Sequence, residues 1–158
     1  MNKFEKISLN RFSLDMSDKC GYEDVKLPRR ATKNSAGYDF FSPFNFSLTA
    51  GESVKVPTGI RVLLDDDKVL LIAPRSGLGF KYRLQLDNTL GVVDADYSGS
   101  DNEGHIFIKI TNDSKENKTL SVKKGEAFAQ GIIVQFFKTI DDDATAERNG
   151  GFGSTNKK

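Results

Sequence analysis

The sequence predicts an all-β domain of the sandwich or barrel kind, and three observations lead there. Roughly ten short apolar or alternating runs follow one another at the spacing of sandwich strands, separated by Gly, Pro, Asn and Asp. No stretch sustains a helical period with capping signals, beyond a single turn around Ser76 to Lys81. Phe40, Phe41, Phe44 and Phe46 crowd one short span, as strands packed in a sandwich core do. At 158 residues the chain has room for one domain with its own core.

In chain order, Lys3 to Leu9 alternates imperfectly and suits an edge strand, while Asp15 to Lys26 is charged and irregular. The body of the domain is expected to begin near Leu27. A basic lead-in, Pro28 to Ser35, runs into Ala36-Gly37-Tyr38-Asp39 and the phenylalanine cluster. Ala50-Gly51-Glu52 makes a turn before a strand at Ser53 to Val56, and Pro57 and Gly59 sit where a β-turn wants them. Ile60 to Leu64 and Val69 to Ala73 are apolar runs around Asp65-Asp66-Asp67-Lys68, the pattern of a hairpin with an acidic, solvated tip. Short strands are expected at Leu84 to Leu86 and Gly91 to Val93, then a polar segment from Ser98 to Gly104. Ile106, Ile108 and Ile110 alternate with Phe107 and Lys109, which puts His105 on a cross-strand surface. Thr119 to Val122 and Ala127 to Phe137 complete the set. Residues 1–140 therefore form the β domain, with 1–26 as an extension carrying the edge strand. Residues 141–158, acidic and then glycine-rich, form a flexible C-terminal arm.

Lys+Arg 23 against Asp+Glu 22 leaves a net charge of +1, so no global field favours nucleic acid or an anionic membrane. A single cysteine, Cys20, forms no internal disulfide, and no run approaches the length of a membrane span or a signal-peptide core. A cytoplasmic protein is the expectation, with neither nucleic acid nor membrane as partner. One histidine and one cysteine argue against a zinc site and exclude a histidine-based triad.

Chemistry concentrates in five stretches. Gly91-Val92-Val93-Asp94-Ala95-Asp96-Tyr97 delivers carboxylates to the end of an apolar strand, where one can act as a general base and the other as support. Tyr97 can lie flat against a sugar, and Asn88 offers both donor and acceptor to the edge of a base. Pro74-Arg75-Ser76-Gly77-Leu78-Gly79 follows a strand and joins a guanidinium fork, a hydroxyl and approachable backbone N–H groups, which suits phosphate oxygens. Asp39 can orient Arg75 or a metal-bound water, and Gln130, in Gly125 to Gln130, can hold a water or a phosphate. In Gly150-Gly151-Phe152-Gly153-Ser154-Thr155 the glycines hinge, Phe152 stacks, and Ser154, Thr155 and the upstream Arg148 donate to phosphates. Taken singly, each stretch also suits an ordinary turn, a core tyrosine or a loose terminus; their conjunction is the signal.

In chain order the five stretches, from Ala36-Gly37-Tyr38-Asp39 to Gly150–Thr155, resemble the motifs of the homotrimeric dUTP pyrophosphatases, the dUTPases, over the chain from Ala36 onward. The resemblance implies a jelly-roll-like fold and a trimer with three active sites at its subunit interfaces. It implies hydrolysis of dUTP to dUMP and pyrophosphate, with Asp94 activating the water that attacks the α-phosphorus. Tyr97 would exclude a 2′-hydroxyl, and Asn88 would read uracil together with the backbone around Gly91 and Val93. Arg75, Ser76, Gly77 and Gln130 would hold phosphates, Asp39 and Asp96 would support, and Phe152 would close over uracil with Gly153, Ser154, Thr155 and Arg148. The metal implied is Mg2+ carried by the triphosphate, with no direct protein ligand and Asp39 reaching it through water. Four features depart from the pattern: Arg148 lies one residue nearer Phe152 than usual, Asn156 and Ala127 replace a glycine and an arginine, and Ser98 to Gly104 is longer than the usual connection. A dCTP deaminase of the same fold and a silent dUTP-binding regulatory protein are the competing expectations. The Asp94 cluster and the Phe152 arm favour the pyrophosphatase over the deaminase, and Asp94 itself argues against the silent protein.

Overall fold

A computed structural model describes residues 1–16, 18–146 and 148 of the chain. Twelve strands are present among them: β1 (Lys3–Lys6), β2 (Arg29–Arg30), β3 (Tyr38–Phe41), β4 (Phe46–Leu48), β5 (Ser53–Pro57), β6 (Ile60–Leu63), β7 (Lys68–Pro74), β8 (Leu84–Leu86), β9 (Gly91–Val93), β10 (Phe107–Asn112), β11 (Leu120–Val122) and β12 (Ala127–Gln135). Two short helices interrupt them, α1 (Leu9–Asp15) and α2 (Ser76–Tyr82). The strands form a five-stranded sheet in the order β2-β3-β12-β7-β9, a three-stranded sheet β5-β10-β8, and two pairs, β1-β6 and β11-β4. One hydrophobic cluster joins all four, with Phe40, Leu48, Val56, Val62, Leu70, Leu84, Ile108, Leu120 and Phe128 each at most 4% exposed. This is the jelly-roll-like β-sandwich expected from the strand spacing and the motifs.

Three features differ from the sequence reading, one of connection and two of burial. The runs at Ile60 and Val69 are strands, yet they do not form a hairpin: β6 pairs with β1, and β7 lies between β12 and β9. The reason lies in burial, because Val69, Leu70 and Ile72 are buried on both sides of β7, which suits a central strand and not one arm of an exposed ribbon. The acidic tip therefore links two sheets.

The segment before Leu27 is also more than an edge strand. Ser8 caps α1, its Oγ accepting from Arg11 N at 3.1 Å, and the helix ends where Met16 N donates to Phe12 O at 2.9 Å. Phe12 and Met16, four apart, bury one face of it beside Ile7 and Val25 in the common core. Burial of side chains of this size stabilises the fold by about 1.5–3 kcal/mol each. The hydrophobic core thus begins at Ile7.

His105 is not on the surface; its side chain is 0% exposed. It stands two residues before β10 begins, after Gly104 in a left-handed turn (φ 74°), so strand alternation does not govern where its ring goes.

Candidate active site

The five-stranded sheet assembles one group of polar residues by register alone. Asp39 on β3 pairs with Gln130 on β12, and Ala129 pairs with Pro74 at the end of β7, which sets Arg75, Ser76 and Gly77 beside them. Arg75 Nε lies 3.2 Å from Asp39 Oδ1, with the arginine half-exposed and the carboxylate mostly covered. Gln130 Nε2 donates to Pro74 O at 3.1 Å. A Cβ on Gly37 would stand 2.6 Å from Gln130 Oε1, so a side chain there would displace the Gln130 amide from its present place. These residues line a pocket of about 190 Å³. A hydroxyl, a primary amide and a guanidinium steered by one carboxylate form a set suited to phosphate oxygens. Among the described residues no three His, Cys, Asp or Glu are grouped as a metal cage.

A second group surrounds the end of β9. Asp94 follows Val93 directly and opens the 3-10 turn Ala95–Gly99, so strand geometry ends where the carboxylate begins. Asp94 and Asp96 are about half-exposed. Arg148 bridges them: its Nη2 donates to Asp94 Oδ2 and its Nε donates to Asp96 Oδ1 at 2.8 Å. The guanidinium carbon lies 6.0 Å from the centre of the Tyr97 ring. Tyr97 is 8% exposed, and burial pushes its phenol above the usual range, so the hydroxyl keeps its proton. Asn88, Gly91, Val93, Asp94, Tyr97 and Arg148 line a cavity of about 680 Å³, within the range that holds a nucleotide-sized ligand.

The sequence reading missed other parts of that wall: Ile72, Leu86, Asp87 and, across the cavity, Lys55, Phe107 and Lys109 from β5 and β10. Lys55 Nζ lies 4.5 Å from the centre of the Phe107 ring, and Lys109 pairs with Asp87 at 2.7 Å. Lys55, Phe107 and Lys109 gave no signal beyond an outward place in strand alternation, which every surface residue shares.

The two groups stand apart. In the antiparallel pairing of β7 and β9, Leu70 faces Val93 and Ile72 faces Gly91, so Asp94 falls beyond Leu70 while Arg75 follows the other end of β7. Six residues of antiparallel strand at about 3.4 Å each separate them by roughly 20 Å. Asp39, Arg75, Ser76, Gly77 and Gln130 therefore belong together, as do Asn88, Gly91, Val93, Asp94 and Tyr97, and one chain does not unite the sets. Arg148, expected on phosphates, sits on the carboxylates of the second set. Phe152, Gly153, Ser154 and Thr155 lie outside the described residues.

The dUTPase family model matches residues 23–156. The deoxyuridine 5'-triphosphate nucleotidohydrolase of Lactococcus lactis subsp. lactis is 37% identical over 134 residues, covering 83% of this chain and 88% of the relative. Among solved structures, the dUTPase of Streptococcus mutans superposes with a TM-score of 0.67 at 34% identity, covering 86% of this chain and 97% of that one. A mutant dUTPase from phage phi11 of S. aureus, described with a coordinated structural Mg(II) ion, shares the fold at 21% identity with a TM-score of 0.67, over 92% of this chain and 97% of its own.

Proposed function

Because the chain belongs to the dUTPase family, we propose that it is a deoxyuridine 5'-triphosphate nucleotidohydrolase, converting dUTP and water to dUMP and pyrophosphate. The observation that carries the reading is the division of labour between the two residue sets. One offers a carboxylate beside a nucleoside-sized cavity, and the other offers phosphate-binding groups. A separation of roughly 20 Å keeps them from serving one α-phosphate within a single chain. They meet when the cavity of one subunit faces the Arg75 pocket of another, which a closed trimer of identical chains supplies three times.

In this reading the uracil and deoxyribose occupy the Asn88–Tyr97 cavity, with Asn88 at the base edge and the Tyr97 ring against the sugar. Asp94 accepts a proton from a water as its oxygen bonds to the α-phosphorus, and the bond from that phosphorus to the bridging oxygen breaks to release pyrophosphate. Arg75, Ser76, Gly77 and Gln130 from the neighbouring subunit hold the phosphates and draw off the charge that develops on the leaving group. Magnesium enters as part of the Mg–dUTP substrate. The residues fit that role, because Asp39 is a single carboxylate already engaged by Arg75, which suits contact through the ion's water shell better than direct ligation. Arg148 neutralises Asp94 and Asp96 in the free chain and exchanges them for phosphate oxygens as substrate arrives, which leaves Asp94 free to take the proton. Residues 141–158 supply the arm, and Phe152 stacks over the uracil. The ordinary location of such an enzyme is the cytoplasm, and none of the described helices is long and apolar enough to cross a membrane.

The test is pyrophosphate release from dUTP with magnesium, run beside UTP, dTTP and dCTP, with ammonia assayed in the dCTP reaction. Release from dUTP alone is expected. Ammonia from dCTP would instead make the protein a deaminase, and silence throughout would leave a nucleotide-binding protein.

A further inference from the structure

Behind Tyr97 lies a bracket built from two parts of the chain that the reaction does not use: α1, and the long connection from Ser98 to Gly104. The Tyr97 hydroxyl is held twice, donating to His105 O at 3.0 Å and accepting from Asn102 Nδ2 at 2.8 Å. Asn102 is oriented in turn, because its Oδ1 accepts from Gly104 N at 3.1 Å. The His105 carbonyl is fixed by its own buried ring. Gly59 N donates to Nε2 at 2.9 Å, so Nε2 carries no proton and Nδ1 does, which it donates to Asp15 Oδ2 at 2.6 Å. Arg11 holds Asp15 with two bonds, at 2.8 and 2.5 Å. The connection is also tied to the start of α1, where the Glu103 carboxylate accepts from Ser8 N at 2.9 Å and from Ser8 Oγ at 2.6 Å.

We propose that Asn102 and the Asp15–His105 pair are positioning residues for Tyr97, and that by fixing its phenol they set the preference of the site for a sugar without a 2′-hydroxyl. The inference rests on the reading of Tyr97 as the surface against which the sugar packs. A ring excludes a hydroxyl only where it cannot retreat, and a shift of about 1 Å in a supporting group is enough to spoil such a fit. A lone aromatic ring against a cavity of this size could tilt. Two hydrogen bonds at its far end, each anchored to buried or cross-linked groups, remove that freedom.

The experiment compares kcat/KM for dUTP and UTP in Asn102→Ala, Tyr97→Phe and the double variant. Asn102→Ala is expected to lower the dUTP:UTP ratio about tenfold; in the Tyr97→Phe background, where the hydroxyl it acts through is gone, its further effect should stay within about twofold. Asn102→Leu, close to asparagine in size and without a donor for the phenol, carries the same expectation should the alanine variant not fold. Asp15→Asn retains an acceptor for Nδ1–H and should keep the wild-type ratio, whereas Asp15→Ala should lose it. An unchanged ratio in Asn102→Ala, or the same tenfold factor in both Tyr97 backgrounds, overturns the proposal, since the residue would then act on the fold and not through the phenol. Wild-type turnover of dUTP separates this outcome from failure of the activity itself. If turnover is absent, the affinity ratio for dUMP against UMP, read calorimetrically, makes the same comparison.

Discussion

Asp94 combines three properties that a general base needs: it stands at a strand end, it is half-exposed to the water it would activate, and it borders the cavity that takes the nucleoside. Arg148 holds one of its oxygens in the free chain, so the carboxylate is oriented before substrate arrives. Asp94→Asn preserves the shape and removes the proton acceptor. Its kcat for dUTP is expected to fall by about 10²–10⁴ with nucleotide affinity nearly unchanged, and single-turnover kinetics beside a binding titration would show it. Turnover near the wild-type rate would assign the base elsewhere. At this scale the sequence was informative where polar residues directly follow apolar runs, as at Asp94 and Arg75. His105 was misread, because alternation extended back from Ile106 assumes a strand that starts only at Phe107.

The element that escaped the sequence reading, α1, has seven residues and buries only Phe12 within its span, so its apolar period is too brief to stand out. Its cap was present in Ser8, but without an acidic residue in the first turn to reinforce it. What holds the helix in place is tertiary, the burial of Phe12 together with the Asp15–His105 contact, and that contact makes stability depend on pH. Burial pushes His105 below its ordinary 6.5, so the folded protein favours the neutral ring. The stabilisation is complete above about pH 6.5 and is lost as pH falls, since the unfolded chain then binds a proton that the folded one refuses. Asp15 is held below its ordinary 3.8 chiefly by Arg11, despite its burial, and its contribution is lost only below about pH 4. As His105 is the only histidine, the unfolding free energy read by chemical denaturation should decline from pH 6.5 to 5 with a slope of at most one proton, about 1.4 kcal/mol per unit. In His105→Gln, whatever its absolute stability, that decline should vanish. The turn before His105 is equally constrained: a Cβ at Gly104 would stand 2.7 Å from Ser98 Cα and 2.9 Å from Tyr97 O, at a φ of 74°. Gly104→Ala should therefore cost about 1–3 kcal/mol in chemical denaturation, and a cost near zero would show that the connection yields freely.

For the whole molecule, the sequence carried the motifs and their order but not the distances between them, which depend on strand register. The absent β6–β7 hairpin illustrates the gap, since neighbours in sequence became members of different sheets. Register also divides the candidate site, because β7 carries Arg75 past one end while β9 leaves Asp94 near the other. A site shared between subunits makes a prediction that a site within one chain does not. Arg75→Ala and Asp94→Asn should each be inactive as pure proteins. Co-expressed in equal amounts and assembled at random, they should regain about a quarter of wild-type activity, because half of the subunits offer an intact Arg75 set and half of their neighbours offer an intact Asp94. The recovery should follow the proportions of the mixture, peaking at equality, and should disappear when both substitutions are placed in one chain and mixed with neither parent. Failure of the co-expressed pair to recover any activity, with mixed assemblies verified by mass, would return both half-sites to a single subunit and require a conformational change able to close roughly 20 Å.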